Sequence, residues 1–291
     1  MKTLNLTKLY CTVCDYYDTI LFAEVQRFSN NNFRPKFTDE ECITVYLFGI
    51  AEGKFEVKAL YGFIKDYWYD WFPDLPSYQK FNKRINQLAP AFRMLFELLL
   101  NEKRDESGLR DHVLDSMPVI VANAKRSGSA KSASGLCDKG YCASKGMYYY
   151  GVKLHALGQR TINSLPHMRM MKLSAASEND ITVAKEWLCE NVWNVDIYAD
   201  KMYANKAWHE ELRSQNVNII TPVKLKKGQK TLKYFDALFS SMVSATRQSI
   251  ESFFNWIQQK TGIQSASKVR SDDGLISFIF ARLASLAFFY W

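Results

Sequence analysis

Residues 112–121, HVLDSMPVIV, form an apolar run that a single carboxylate, Asp115, interrupts. The length of this run and its β-branched and large apolar residues are typical of a buried strand. A second apolar run, NVDIYAD (residues 194–200), ends on another carboxylate, Asp200. The sequence therefore predicts two buried strands, and each carries an aspartate where a sheet would present it at one edge.

A third acid lies in a segment with helical spacing. Glu251 belongs to RQSIESFFNW (residues 247–256), in which apolar positions recur as on one face of a helix. Taken singly, each acid is better explained as a turn residue, a helix cap or a solvated side chain. Together, two strand-end aspartates and a helix glutamate could meet only in three dimensions. There they would hold two Mg²⁺ ions that polarise a phosphodiester and activate a hydroxyl.

The order and spacing of the three acids resemble those of the DDE transposases of bacterial insertion sequences. Here 84 residues separate Asp115 from Asp200 and 50 separate Asp200 from Glu251, which is similar to the branch with a short gap before the glutamate. YYYGVKLH (residues 148–155) resembles the second strand of that family, with its aromatic-Gly-x-Lys-x-His pattern. Arg247, four residues before Glu251, matches the Arg-x-x-x-Glu core of the C-terminal signature of the family.

The resemblance covers most of the chain from Phe33 onward, with two departures. Lys268-Val269-Arg270-Ser271 and Gly274-Leu275 resemble the basic loop that leads into the last helix of the family. Many relatives carry a tyrosine and a lysine where this chain has Ser244 and Gln258. Those two positions are thus not expected to make the DNA contacts of the relatives.

The resemblance and the strand pattern together imply an α/β fold. We expect an RNase H-like mixed-sheet catalytic domain over residues 106–291, preceded by an all-helical domain over residues 1–105 that binds the DNA end. The family implies Asp115, Asp200 and Glu251 as catalytic residues and as ligands of two Mg²⁺ ions, for which Mn²⁺ could substitute. It implies double-stranded DNA as partner, both the terminal repeats of the element and the target, and a homodimer on that DNA. Cleavage by water would be followed by attack of the freed 3′-hydroxyl on the target.

Several basic residues are candidates for DNA contacts. Arg247 lies one helical turn before Glu251, so it could hold a phosphate near the scissile bond or pair with Glu251 when no metal is bound. Lys201 follows Asp200 and could act similarly. A lysine-rich segment, residues 224–233, would either flank the DNA or simply be solvated; its lysines are Lys224, Lys226, Lys227, Lys230 and Lys233.

The first 105 residues have helical periodicity and contain one clear helix start. Thr38 and Glu41 have the spacing of a capping box. Two further helices are predicted over residues 57–71 and 78–88, and the second carries the basic residues Lys80, Lys83 and Arg84. This pair could be a helix-turn-helix that reads a major groove, or an ordinary bundle with a solvated basic face. The sequence leaves both open.

Composition limits the remaining functional classes. The chain has 291 residues, 47% of them hydrophobic, a formal charge of +8 and a pI of about 9.0, which favours a polyanionic partner. The N-terminus lacks the apolar core of a signal peptide, and Leu275–Trp291 is expected to be a buried helix rather than a membrane span. We therefore expect a cytoplasmic, nucleoid-associated protein. Cys11 and Cys14 could suggest zinc or redox chemistry, but reduced structural thiols are favoured.

Two alternative functions remain at this stage. One is an RNase H-fold nuclease that hydrolyses DNA without strand transfer, and the other is a non-enzymatic DNA-binding protein, a decayed transposase. The small, polar and basic segment 124–135 fits any of the three functions, because it could order on DNA or be a plain hairpin loop.

Overall fold

A computed structural model of the chain describes residues 2–25, 35–102, 109–143, 145–225 and 227–290. The chain divides into two compact units. The helical unit comprises Met1–Lys103, Lys131–Gly135 and Ile257–Trp291, and the sheet unit comprises Arg104–Ala130 and Leu136–Trp256.

The described residues form helices and strands with the following bounds. The helices are α1 (Lys2–Tyr16), α2 (Phe22–Glu24), α3 (Asp39–Ala51), α4 (Val57–Tyr67), α5 (Tyr78–Gln87), α6 (Ala89–Glu102), α7 (Asp180–Leu188), α8 (Lys206–Arg213), α9 (Tyr234–Thr261) and α10 (Asp272–Tyr290). The strands are β1 (Asp111–Asn123), β2 (Asp138–Cys142), β3 (Met147–Gln159), β4 (His167–Ala175), β5 (Asp196–Ala199) and β6 (Asn218–Ile220).

The sheet unit is built on one mixed sheet. Its strand order is β2-β3-β1-β5-β6, and β4 also pairs with β3. β3 runs antiparallel to β1, β2 and β4, whereas β5 runs parallel to β1 and β6 runs parallel to β5. Antiparallel strands followed by parallel strands with intervening helices make the RNase H-like arrangement, so the predicted fold class is confirmed.

A close approach of β3 to β1 requires a glycine. A Cβ added to Gly151 would lie 2.1 Å from the carbonyl oxygen of Val119, which is far inside van der Waals contact. The register of β1 against β3 shifts at this place, between Ile120 and Ala122. The glycine of the aromatic-Gly-x-Lys-x-His pattern thus has a structural reason, because only glycine fits against the β1 backbone.

The core of the sheet unit lies between the sheet and helices α7 and α8. It is formed by buried apolar residues of β1, β5, β6 and the two helices, among them Leu188, Ile197 and Trp208. Long helix α9 buries a stripe at helical spacing that includes Val243, Ile250 and Phe253. This stripe fixes which face of α9 points inward, and therefore which of its polar side chains point with it.

The helical unit includes the last helix of the chain. α10 packs on α6 and α3 and is apolar on nearly all sides, so it needs neighbours all round. The sequence places residues 257–291 in the same domain as the strands, and by their contacts these residues group with the N-terminal helices. The predicted capping box is confirmed. The Thr38 hydroxyl accepts a hydrogen bond from the Glu41 amide, and the Glu41 carboxylate accepts one from the Thr38 amide.

α4 and α5 are joined by a connection longer than that of a helix-turn-helix. α4 ends at Tyr67 and α5 begins at Tyr78, whereas a helix-turn-helix has a turn of about three or four residues. Arg84 of α5 also forms an ion pair with the buried carboxylate of Asp39, which in addition accepts a hydrogen bond from Tyr17. The exposed basic face of α5 is thereby reduced to Lys80 and Lys83.

Two further observations bear on the class of protein. Within the described ranges α10 alone is long and apolar enough to cross a membrane, and 67% of its most apolar window is buried, as in a core helix. No disulfide joins the six cysteines, all of which lie in the described ranges: Cys11 is exposed, Cys14 and Cys189 are partly buried, and Cys42, Cys137 and Cys142 are buried.

Candidate active site

The first two acids emerge side by side from adjacent parallel strands. β1 and β5 are paired in register up to Leu114 and Ala199. Asp115 and Asp200 each follow that last pair by one residue. Since the strands run in the same direction, the two carboxylates lie at the same edge of the β1–β5 pair. The expected convergence of the two aspartates therefore has a direct cause in strand register, although Asp115 lies within β1 and only Asp200 follows the end of its strand.

The third acid comes to the same place through Arg247 of α9. Its guanidinium lies against all three carboxylates. Nη2 donates a hydrogen bond of 2.9 Å to Oδ2 of Asp115 and lies 3.7 Å from Oε1 of Glu251, and Nη1 lies 3.7 Å from Oδ1 of Asp200. Three acids from β1, the end of β5 and α9 are thus gathered around one cation.

The electrostatics of the cluster are set by burial. The side chain of Asp115 is only 20% exposed, and burial raises its pKa to about 6 although the charge of Arg247 acts in the opposite direction. The Ser116 amide donates a second hydrogen bond to the same carboxylate, at 2.8 Å. Arg247 is buried as well, and its Nε has no hydrogen-bond partner among the described residues. The guanidinium is held by charge more than by directed hydrogen bonds.

A comparison with protein families places this geometry in context. The model of the transposase DDE domain matches residues 109–288, which contain β1, β5, α9 and all three acids. This chain belongs to the transposase DDE domain family. Searches of curated proteins and of solved structures found no match.

Membership implies a transposase-type nuclease, and proteins with this domain generally depend on a divalent metal. The donor set of this DDE domain fits such an ion, because carboxylate oxygens are the hard ligands that Mg²⁺ prefers. Over the described parts of the chain, no three His, Cys, Asp or Glu side chains stand at metal-ligand spacing, since the carboxylates gather around Arg247 instead. The three negative charges and the single guanidinium leave an excess of acid that a cation would neutralise.

Sequence reasoning missed a fourth acid of this DDE domain, Asp180 at the start of α7. Its Oδ2 accepts a hydrogen bond of 2.8 Å from the hydroxyl of Ser116, and its Oδ1 pairs with Nζ of Lys153 at 2.6 Å. Lys153 also donates to the carbonyl of Glu178. Ser116 adjoins Asp115, so Asp180 ties β1, β3 and α7 together beside the acid cluster. The lysine of the aromatic-Gly-x-Lys-x-His pattern was the available signal, because a part-buried lysine on a strand requires an acidic partner.

His155, the last residue of that pattern, is a hydrogen-bonding residue of β3. It is buried, and its Nε2 lies 2.9 Å from the hydroxyl of Ser174 on β4. Burial lowers the pKa of His155 to about 4, so the ring is neutral at ordinary pH.

Of the remaining predicted DNA-contact residues, those that the structure describes form no ion pair with the three acids. Lys201 is exposed in the turn directly after Asp200. The exposed lysines of segment 224–233 are Lys224, Lys227, Lys230 and Lys233, and Lys226 lies outside the described residues. Lys80 and Lys83 belong to the helical unit of this transposase, where Arg84 is held by Asp39.

Proposed function

We propose that the chain is a DNA transposase that cleaves DNA at the ends of an insertion sequence and joins the freed end to target DNA. The proposal rests on one observation above all. Three acids from separate elements, in the family order, converge on a single guanidinium. A structural ion pair would need one carboxylate partner for Arg247, whereas three partners make a surplus of negative charge that suits a catalytic metal site.

In this proposal Asp115, Asp200 and Glu251 hold two Mg²⁺ ions, with Mn²⁺ as a substitute. When bound, such ions polarise the scissile phosphodiester and activate the attacking hydroxyl. Asp115, the most buried of the three acids, would be the ligand that solvent reaches least. Asp180 and Lys153 keep Ser116, and with it the backbone of Asp115, in place.

Arg247 has a second role in this proposal. When the three carboxylates hold metal, the guanidinium of Arg247 would be free to bind a phosphate oxygen of the DNA. Its planar arrangement of N–H donors suits that contact. Lys201, next to Asp200, is proposed to contact the neighbouring phosphate. Both residues would position the strand and leave proton transfer to others.

DNA outside the acid cluster would be bound by charge. We propose that Lys224, Lys226, Lys227, Lys230 and Lys233 contact backbone phosphates without reading sequence. Recognition of the element's ends is assigned to the helical unit, including Lys80 and Lys83. Cleavage and joining involve two ends, so a homodimer on DNA is proposed, in the cytoplasm and associated with the nucleoid.

The acid assignment is tested by single substitutions. Asp115→Ala, Asp200→Ala and Glu251→Ala should each reduce Mg²⁺-dependent nicking of a DNA end by several orders of magnitude, because each removes a metal ligand. Glu211→Ala, at an exposed acid of α8, is the matched control and should nick normally. Full nicking by any of the three variants would sink the assignment.

Strand transfer needs a separate assay. A pre-cleaved DNA end with a free 3′-hydroxyl should be joined to a second duplex in Mg²⁺, with Asp115→Ala as the inactive control. Nicking without joining would instead identify a nuclease, and binding without metal-dependent nicking would identify a non-enzymatic DNA-binding protein.

A further inference from the structure

The helical unit contains a cavity of about 680 Å³ that has no part in the acid cluster. This volume is within the range of small-molecule binding sites. Its walls come from α3, the start of α4, α5, the end of α9, α10 and the loops at residues 55–56 and 262–271. We refer to it as the Arg282 cavity, after the buried arginine of α10 that lines it.

Arg282 is a buried cation without a counter-charge. Its side chain is fully buried, and its guanidinium donates to the carbonyls of Thr261 and Phe278, each at 3.0 Å, to the carbonyl of Phe55 and to the hydroxyl of Tyr46. All of these acceptors are neutral, and no carboxylate of a described residue pairs with it. Arginine keeps its proton even where burial lowers its pKa, as it does here, so the charge remains. Buried charges in proteins are normally paired, so Arg282 is an uncompensated positive charge that an anion would neutralise.

The exposed part of the cavity lining is positively charged, like the buried Arg282. Lys58, Lys268 and Arg270 line the cavity and are exposed. The one acid of the lining, Glu56, lies 3.4 Å from Lys268, so it offsets that lysine and leaves the others uncompensated. Arg270 is held in place by the carbonyls of Ser267 and Val269. A fixed guanidinium at the mouth is preorganised for an oxyanion.

Neutral hydrogen-bond donors complete the lining. Asn82 and Asn86, four residues apart on α5, present side-chain amides to the cavity from the same face of the helix. Ser271, the residue before α10, lines it as well, and its hydroxyl accepts a hydrogen bond from the Gly274 amide. Positive charge together with amide and hydroxyl donors is the chemistry that binds phosphate oxygens.

We propose that the Arg282 cavity is a binding site for a phosphate group, the anion that DNA presents along its backbone. Arg282 supplies the buried charge, Lys58 and Arg270 the exposed charge, and Asn82 and Asn86 the directed hydrogen bonds. The site would give α5 a contact with DNA on a different face of the helix from that of Lys80 and Lys83. Phosphate binding stands independently of catalysis, and only the assignment to DNA rests on the proposed function.

The first experiment measures anion binding by the full-length protein in chelator, where no metal-dependent cleavage occurs. Thermal unfolding is followed in sodium phosphate and in sodium chloride at equal ionic strength and pH. Phosphate should raise the melting temperature of the wild type by a few degrees more than chloride does, because it binds the folded state. The extra rise should disappear in Lys58→Gln/Arg270→Gln and in the charge-neutral Asn86→Leu. It should persist in Lys65→Gln, an exposed lysine of α4 outside the cavity.

These variants avoid Arg282, whose removal would unfold the region that its carbonyl contacts hold together. Equal melting temperatures in phosphate and chloride for the wild type would overturn the proposal. An extra rise that all variants retain would overturn it too, since phosphate would then bind elsewhere.

The second experiment asks where the phosphate comes from. Binding of a short duplex of random sequence is measured by fluorescence anisotropy in the same buffer over a range of salt concentrations. If the site takes a DNA phosphate, Lys58→Gln/Arg270→Gln should lower the slope of log affinity against log salt by up to about 2, and Asn86→Leu should weaken binding several-fold. Lys65→Gln should change neither. Loss of the phosphate effect with unchanged DNA binding would assign the cavity to free phosphate compounds instead.

Discussion

Replacement of Arg247 with Gln should destabilise the protein strongly in chelator and only weakly in Mg²⁺. The substitution removes the cation around which Asp115, Asp200 and Glu251 gather and leaves a shorter, neutral polar side chain. At an effective dielectric constant of about 20, the attraction is about 6 kcal/mol at the 2.9 Å contact and between about 4 and 5 kcal/mol at each 3.7 Å contact. These gross values are offset by the desolvation of the guanidinium and by screening, since Glu251 is 48% and Asp200 32% exposed.

The net effect therefore depends mainly on Asp115, the most buried partner. Loss of one partner from a buried ion pair costs about 3 to 5 kcal/mol. Because the other two acids reach solvent, we expect Arg247→Gln to lower the free energy of unfolding by about 2 to 4 kcal/mol in chelator. Mg²⁺ should restore much of the lost stability, because it neutralises the same carboxylates. In the variant it does not compete with a guanidinium for them.

The assay is thermal and urea unfolding of wild type and variant, each with chelator and with Mg²⁺, together with calorimetric titration of Mg²⁺. Arg213→Gln is the matched control, since it removes the same group from an exposed pair with Glu210 and should cost less than about 1 kcal/mol in both buffers. Two results would contradict the idea that Arg247 and Mg²⁺ neutralise the same carboxylates. One is that Arg247→Gln is as stable as Arg213→Gln in chelator. The other is that the loss of stability of Arg247→Gln is the same with and without Mg²⁺.

Three further outcomes are expected. Changing the four exposed lysines of segment 224–233 to Gln should weaken binding to all DNA sequences alike and lower the salt slope by up to about 0.9 per lost phosphate contact, whereas an unchanged slope would mean that the segment is merely solvated. Gly151→Ala should cost at least about 2 kcal/mol in urea unfolding, because its Cβ would meet the Val119 carbonyl, while Gly128→Ala, which has open space around it, should be near neutral. His155 is neutral in the folded protein and takes up a proton in the unfolded chain below about pH 6.5, so its contribution to stability should fall by about 1.4 kcal/mol per pH unit from there towards pH 4; His155→Gln should remove this contribution, and the exposed His167→Gln should not.

The elements that the sequence predicted well are those whose signal is local. The strands at residues 112–121 and 195–199 were visible as apolar runs, and the helix beginning after Thr38 was visible from its capping box. β2 had no such signal. Its five residues, DKGYC, are polar and short, and they become a strand only because Met147–Gln159 offers a partner. Pairing between distant segments leaves no local periodicity to read.

The same distinction applies to the site. The i,i+4 relation of Arg247 to Glu251 follows from helix geometry, but the contacts of Arg247 with Asp115 and Asp200 depend on the rotation of α9 about its axis, which its buried stripe sets. The position of residues 257–291 depends in turn on the packing of α10 with α6 and α3. A fragment that ends near Asn101 would therefore lack part of the helical unit.

The pairing of β1 with β5 also limits how relatives of this chain can differ in length. Asp115 and Asp200 meet because each is one step beyond the last paired residues, Leu114 and Ala199. One residue gained or lost within β5 would turn Asp200 to the opposite face of the sheet, since side chains alternate along a strand. Insertions between the strands do not change the face on which Asp200 lies. The 84-residue and 50-residue intervals can therefore vary in length during evolution. Natural length variation should be confined to the loops, and a deletion of two residues in β5 should be tolerated better than a deletion of one.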